Sequence, residues 1–213
     1  MKKKLHTKKN NSTIILDEKT VTKDPFEQFR IWFDDVTARN IIPFPNAMIL
    51  ATADKRIPSA RVVLLKEFDK TGFVFFTNYN SKKAKELNKN PLSEFLFYWP
   101  VVERQVRISG RVEKISTEES NNYFKTRPRG NQIGAWASPQ SKEVKNKDEL
   151  DNLYKKYENK FENKNIPKPG FWGGYKLVPH NFEFWQMQPN RFHDRILYAL
   201  EKNGIWKIKR LAP

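Results

Sequence analysis

Phe182-Glu183-Phe184-Trp185-Gln186-Met187-Gln188-Pro189-Asn190-Arg191-Phe192-His193-Asp194-Arg195 is the stretch on which the reading of this chain turns. Its first half alternates aromatic and polar residues, the period-two pattern of a half-buried strand. Its second half puts Arg191, His193 and Arg195 at i, i+2 and i+4. If that half is extended, the three side chains share one face. Three cationic or potentially cationic groups side by side repel one another unless an anion or an electron-rich ring lies among them. An arginine fork suits phosphate, and a histidine can donate, accept or carry a proton near neutrality. Spacing alone also allows a solvated strand edge. Trp185 upstream and a histidine between arginines favour a ligand site.

Downstream, Ile196–Leu200 and Ile205–Lys209 flank Asn203-Gly204, a strong hairpin signal. Upstream, Phe171–Val178 is strand-like. Asp148–Phe161 carries Leu150, Tyr154, Tyr157 and Phe161 at helical spacing, a core-packing stripe. Gln132–Ser138 reads as a short helix, and Pro128 and Gly130 break the one before it. That earlier helix, to about Thr126, opens on the capping box Ser116 to Glu119. Before it, the strands Ala47–Ala53, Ser59–Phe68, Phe73–Asn78, Leu92–Trp99 and Arg104–Ile115 are joined by turns at Asp54–Pro58 and Asp69–Gly72. A short helix runs from Ser81 through Leu87. Asp24-Pro25 begins the first helix, with Asp as N-cap and Pro at the first helical position. Phe26, Phe29, Phe33 and Val36 give that helix an aromatic face. Residues 1–23 read as a mobile basic tail, able to order over a ligand or to stay free, and 24–213 as a single domain. The expected class is mainly β with flanking helices (α+β): an antiparallel barrel or sheet with helices outside.

The 213 residues carry a net charge of +16, but most lysines are scattered among acids and asparagines. The charge therefore reads as solvated surface plus an anion site, and nucleic acid is not expected as a partner. The absence of cysteine excludes disulfides and thiolate sites and fits the cytoplasm. The three histidines, His6, His180 and His193, are far apart, so no metal centre is expected. The basic start has no apolar stretch behind it, so neither a signal peptide nor a membrane span is expected.

Several segments could hold anions. Arg61-Val62-Val63-Leu64-Leu65-Lys66 is a buried strand with a cation at each end, on opposite faces if regular. Either a bulge re-aims one, or the two serve different ligands or different atoms of one ligand. Phe76-Thr77-Asn78-Tyr79-Asn80-Ser81-Lys82-Lys83 runs from a strand end into a helix start, where free N–H groups and the helix dipole favour an anion. A capped surface helix is the plainer reading. Tyr123 and Arg127 share a helix face and could reach one phosphate, or form an ordinary charged last turn. Gln105 can donate to and accept from the edge of a heterocycle. With no nucleophilic cysteine and no nucleophile elbow, the site either imports its chemistry through a cofactor or only binds.

The motifs Arg61–Lys66, Thr77–Lys83, Glu103–Val106, Arg127–Arg129, Gln132–Trp136, Phe171–Gly174, Glu183–Gln186, Arg191–Arg195 and Arg210–Pro213 occur together and in order. Over about residues 24–213 the chain resembles the FMN-dependent pyridoxamine 5′-phosphate oxidases of vitamin B6 metabolism. The resemblance implies a split antiparallel β-barrel of the FMN-binding type, working as a homodimer with FMN at the subunit interface. It implies oxidation of pyridoxamine and pyridoxine 5′-phosphates to pyridoxal 5′-phosphate, by hydride transfer to flavin N5 and reoxidation by O2 to hydrogen peroxide. The cofactor would meet Arg61, Val62, Val63, Leu64, Leu65, Lys66, Phe76, Thr77, Lys82, Lys83, Gln105, Gln140, Ser141, Trp185 and Arg195, some from the second subunit. Lys66, Tyr123, Arg127 and Asn131 would grip the substrate phosphate, with Arg191 and His193 against the pyridine ring in catalytic, orienting roles. Two departures stand out: Asn131 replaces a frequent serine, and no Tyr or Arg precedes Arg30 where the family often carries both in a lid.

Overall fold

In the computed structural model, residues 15–54 and 57–213 are described. The element order is α1 (Pro25–Ala38), β1 (Ala47–Ala53), β2 (Pro58–Leu64), β3 (Glu67–Asp69), β4 (Gly72–Asn78), α2 (Lys82–Lys89), β5 (Leu92–Trp99) and β6 (Arg104–Lys114). Then come α3 (Thr117–Thr126), α4 (Arg129–Ala137), α5 (Lys147–Lys160), β7 (Trp172–Gln186), β8 (Asp194–Leu200) and β9 (Trp206–Arg210). Every strand pairing is antiparallel, in the order β2-β1-β5-β6-β7-β4-β3, with β8 also on β7 and β9 on β8. Among the described residues, no helix is long and apolar enough to cross a membrane.

The strand β7 organises the sheet. One of its edges pairs with β6 along most of its length. Its other edge forks: Trp172–Leu177 takes β4, and Asn181–Gln186 takes β8. The sequence reading made two strand segments of this region, separated around Pro179. They are one strand, because Pro179 sits where the β6 register shifts between Ser109 and Gly110, a place that asks less of the ladder. Gly110 is required there, since a Cβ would lie 2.3 Å from the Val178 carbonyl oxygen.

The predicted strand Ser59–Phe68 is two strands. The chain changes partners at its middle: Leu65 N–H donates to the Asn46 carbonyl and Lys66 N–H to that of Val74. β2 therefore belongs to β1, and β3 to β4. This break resolves the question of how Arg61 and Lys66 are aimed, since they do not stand on one regular strand.

Leu50, Phe95, Ile108, Phe182 and Tyr198 lie on the sheet's inner face and are fully buried. The helix α1 covers them with Phe29, Trp32 and Val36, starting at Asp24, whose carboxylate accepts from Phe26 N–H. Each such aromatic contributes roughly 1.5–3 kcal/mol by burial. A second cluster of Phe124, Ile133, Phe161, Ile166 and Trp172 joins α3, α4 and α5 to the start of β7. The capping box at Ser116 and Glu119 forms as expected. α4 starts at Arg129, earlier than expected, and takes Gly130 into its first turn; Pro128 is its cap rather than a spacer.

Residues 15–23, assigned to the tail from sequence, pack on the body. Leu16 is buried in the main core, and Tyr198 Oη donates to the Thr22 carbonyl at 2.7 Å. The rest of the expected tail, with Lys8 and Lys9, lies outside the described residues, as does part of the Asp54–Pro58 turn.

Candidate active site

A cleft of about 420 Å³ opens between the sheet and the α3–α4 corner. Leu64 and Lys66 reach it from the end of β2, Phe76 and Thr77 from β4, Tyr123 and Arg127 from α3, and Asn131 from α4, with Gln140 and Trp172 completing the wall. All four residues expected to hold a substrate phosphate are thus brought together. The reason is packing: Phe76 stacks on Tyr123 (centroids 3.9 Å, 17°) and on Trp172 (5.3 Å, 12°). Arg127 lies over Trp172 at 4.7 Å. Its Nη1 is buried with no hydrogen-bond partner. A buried, unpaired guanidinium donor is costly unless an acceptor meets it. Burial disfavours the charge on Arg127, and an anion would relieve that cost.

A second cationic group stands next to the first. Thr77 is buried at the end of β4; Lys83 Nζ donates to Thr77 Oγ1 and Gln140 Oε1, each at 3.1 Å. Burial, followed by the nearby Arg61 charge, pushes the Lys83 amine below its ordinary range. Arg61 leans on Glu86, Nη2 to Oε2 at 3.0 Å, and also donates to Thr52 Oγ1. Lys82 is exposed, with Nζ 3.9 Å from Glu86. Burial pushes the Glu86 carboxyl up, but hydrogen bonds from Thr52, Ser59 and Arg61 outweigh it and hold the group below its ordinary value. One buried carboxylate thus orients Arg61 without neutralising Arg61, Lys82 and Lys83 together. The donor set, three cations and a hydroxyl at the start of α2, fits a phosphate monoester.

The remaining expected residues lie elsewhere. Gln105, Trp185 and Arg195 are cross-strand neighbours on β6, β7 and β8, a single transverse row on the outer sheet face. Arg195 donates to Glu183 at 2.9 Å and to the Ala212 carbonyl at 2.8 Å. The ring of His193 packs on Trp185, centroids 4.7 Å apart. His193 Nδ1 accepts the Gln188 N–H at 3.1 Å. That contact uses Nδ1 as the acceptor and leaves Nε2 as the ring's donor.

The expected extended run Arg191–Arg195 is not extended throughout. Pro189–Arg191 forms a 3₁₀ turn in which Asn190 and Arg191 both have positive φ, 58° and 61°. Pro189 favours a turn, and β8 begins only at Asp194. Arg191 is exposed and does not share one strand face with His193 and Arg195. Ser141 is likewise exposed, at φ 67°, outside the cleft.

Leu65 is buried, Val63 is partly buried against the core and Val62 is 66% exposed on the outer face. Trp172, Glu86 and Glu183 are site residues that the sequence alone did not single out. The i,i+4 spacing of Lys82 and Glu86 was the available signal for Glu86. Alternation with Trp185 was the signal for Glu183. Among the described residues, no three His, Cys, Asp or Glu cluster as metal ligands.

Comparison with known proteins bears on the family and the fold. Residues 35–158 match the family described as pyridoxamine 5′-phosphate oxidase, and residues 172–213 match the pyridoxine 5′-phosphate oxidase C-terminal dimerisation region. A pyridoxine/pyridoxamine 5′-phosphate oxidase of Cupriavidus necator is 53% identical over 200 residues, 93% of each chain. One from Rippkaea orientalis is 52% identical, covering 89% of this chain and 90% of its own. The fold is similar to that of PhzG from Burkholderia lata 383, solved with tetrahydrophenazine-1-carboxylic acid (TM-score 0.87, 27% identity, 95% of this chain and all of that one). It is also similar to an FMN-binding protein of Nostoc punctiforme (TM-score 0.70, 16% identity, 91% of this chain and all of that one). The half-barrel with helices outside is thus a split barrel, and with half its residues identical to curated relatives over nearly its whole length, the chain belongs to the pyridoxamine 5′-phosphate oxidase family.

Proposed function

We propose that this protein is an FMN-dependent oxidase that converts pyridoxamine 5′-phosphate and pyridoxine 5′-phosphate to pyridoxal 5′-phosphate. The observation that carries the reading is a pair of adjoining cationic groups: Lys66, Tyr123, Arg127 and Asn131 line the cleft, and Lys83, with Arg61 and Lys82 near it, reaches the cleft wall through Thr77 and Gln140. A phosphorylated substrate on a phosphorylated cofactor needs such a pair.

In this reading the second group holds the FMN phosphate, beside the Val62–Leu65 backbone and Phe76. Lys66, Tyr123, Arg127 and Asn131 hold the substrate phosphate. Gln105, Trp185, Arg195, Gln140 and Ser141 serve the rest of the flavin. FMN, when bound, would supply the acceptor for the C4′ hydride and for its electrons a route to dioxygen, giving hydrogen peroxide; with the amine substrate, water hydrolyses the resulting substrate imine and ammonia leaves. The chain's own contribution is orientation and charge. His193 presents Nε2–H to a substrate oxygen, and Arg191 adds positive charge beside it.

The site is made by two copies of the chain. Trp172 opens β7 and Trp185 stands next to its last residue, Gln186; a fully extended strand of that length spans at most about 40 Å. The phosphate cleft is at the first end, and the Gln105–Trp185–Arg195 row with His193 at the other. Within a chain the two groups lie toward opposite ends of one strand, and a twofold dimer would let one flavin meet both. The outer sheet face offers the surface: Val62, Ile49 and Leu96 are cross-strand partners on it, and the first two are exposed.

The test is the visible spectrum of the purified protein with pyridoxamine 5′-phosphate in the absence of oxygen. A flavin band that bleaches and returns with air is the expected result. A band that does not bleach retains the cofactor and removes the substrate assignment. No band, even after FMN is added, removes the cofactor itself.

A further inference from the structure

Arg210, near the end of the chain, uses its whole guanidinium. Nε donates to Glu18 at 2.9 and 3.0 Å, and Nη2 to Glu18 Oε2 at 2.7 Å and to the Leu16 carbonyl at 2.9 Å. Nη1 donates to Asp194 Oδ1 at 2.8 Å. The other oxygen of Asp194 accepts from Gln188 Nε2 at 2.7 Å. The Gln188 main-chain N–H in turn holds His193 Nδ1 at 3.1 Å. A continuous set of hydrogen bonds thus runs from residues 16–18 to the imidazole.

Its geometry has a purpose. Between Gln188 and His193 the backbone passes through two consecutive left-handed residues, Asn190 and Arg191. Such a conformation is unfavourable for residues with a Cβ and needs surrounding contacts to persist. The Gln188–Asp194 bond closes the turn from both ends, and Arg210 fastens the closed turn to β9 and to the segment anchored by buried Leu16.

We propose that Arg210 is a positioning residue. It ties residues Leu16–Glu18 to the 188–194 turn, so that docking of the N-terminal segment sets the orientation of His193. This rests on the assignment of His193 to the substrate pocket. Arg210 itself touches neither ligand; it acts through Asp194 and Gln188.

The test uses the FMN-loaded full-length protein and two readouts. The first is the ring ¹⁵N spectrum, which is tractable because the chain has three histidines. The wild type should show His193 protonated on Nε2 alone, and Arg210→Gln should mix the two tautomers. The second is a double-mutant cycle on turnover of pyridoxine 5′-phosphate. Arg210→Gln should lower kcat about tenfold, as expected of a displaced catalytic group, with KM and flavin content nearly unchanged. Arg210→Lys should recover part of the loss, and Glu18→Gln should show a smaller one. In a His193→Ala background, Arg210→Gln should cost nothing further. An unchanged tautomer, or equal losses in both backgrounds, overturns the proposal. If Arg210→Gln does not fold, Glu18→Gln and Arg210→Lys carry the same comparison. If the wild type does not turn over at all, the functional reading fails, and the spectrum still decides the positioning role.

Discussion

Arg127 lies over the indole of Trp172, 4.7 Å from guanidinium carbon to ring centroid, with Nη1 buried and unpaired. The stack of Tyr123, Phe76 and Trp172 holds Arg127 at the cleft wall before any anion arrives. Such preorganisation lowers the cost of binding. Lysine keeps the charge and loses both the fork and the stacking. A charge-assisted bond is worth about 1.5–3 kcal/mol. Arg127→Lys should therefore raise KM for pyridoxine 5′-phosphate by roughly 10- to 100-fold, with flavin content unchanged. Steady-state kinetics with flavin absorbance checks this; an unchanged KM removes Arg127 from the phosphate site.

Lys83 gives a prediction in which stability and affinity move in opposite directions. Burial and the Arg61 charge lower its folded-state pKa, so the protonated amine weakens the ligand-free fold at neutral pH. For a base lowered on folding, stability rises as pH climbs from the folded toward the unfolded value. Lys83→Met should therefore melt at or above the wild type without FMN. It should bind FMN about 10- to 100-fold more weakly, losing one charge-assisted bond. Thermal melts with and without FMN decide it; a variant less stable but equally avid contradicts both halves.

Glu86 answers in the other direction. Its carboxyl is held below the ordinary 4.5, so its stabilisation is complete above that pH and is lost as pH falls through the folded value. Glu86→Gln leaves Arg61 without its ionic partner at a cost of roughly 2 kcal/mol near neutrality. Denaturant unfolding over a pH series should show the gap between wild type and variant closing as the solution is taken below 4.5. A gap independent of pH assigns the loss to packing.

Much of this was legible in the residues. Asp24-Pro25 and the Ser116–Glu119 box announced their helices because capping is local chemistry, read within four residues. Lys66, Tyr123, Arg127 and Asn131 were named together through the family's motifs, and packing gathers them in one cleft. What failed depended on partners distant in sequence. Pro179 looked like a strand break because the register shift opposite it lies in β6. Ser59–Phe68 looked continuous because nothing local says that Asn46 ends one pairing and Val74 begins another. Arg191, His193 and Arg195 had the spacing of one face, but Asn190 and Arg191 turn left-handed and break the alternation. Glu86 was one acid among helix lysines until β1 and β2 closed over it.

The division of the site between the ends of β7 makes the strongest test, because it predicts activity from two inactive proteins. Arg127 belongs to the cleft, and Arg191 to the turn beyond the far end of β7. Arg127→Met and Arg191→Ala should each leave a folded, flavin-containing dimer with little turnover, since Arg191 is exposed and a flexible apolar methionine can fill the place of the guanidinium over Trp172. When the two variants are unfolded and refolded together, about half the dimers are mixed by random pairing in a twofold assembly. In a mixed dimer both substitutions fall in one site and the other is intact. The mixture should therefore regain about a quarter of wild-type turnover. Recovery at that level, with wild-type KM, requires each site to draw on both chains. No recovery from a mixture shown by mass spectrometry to contain mixed dimers places both arginines of a site in the same chain, and the shared-site arrangement is then wrong.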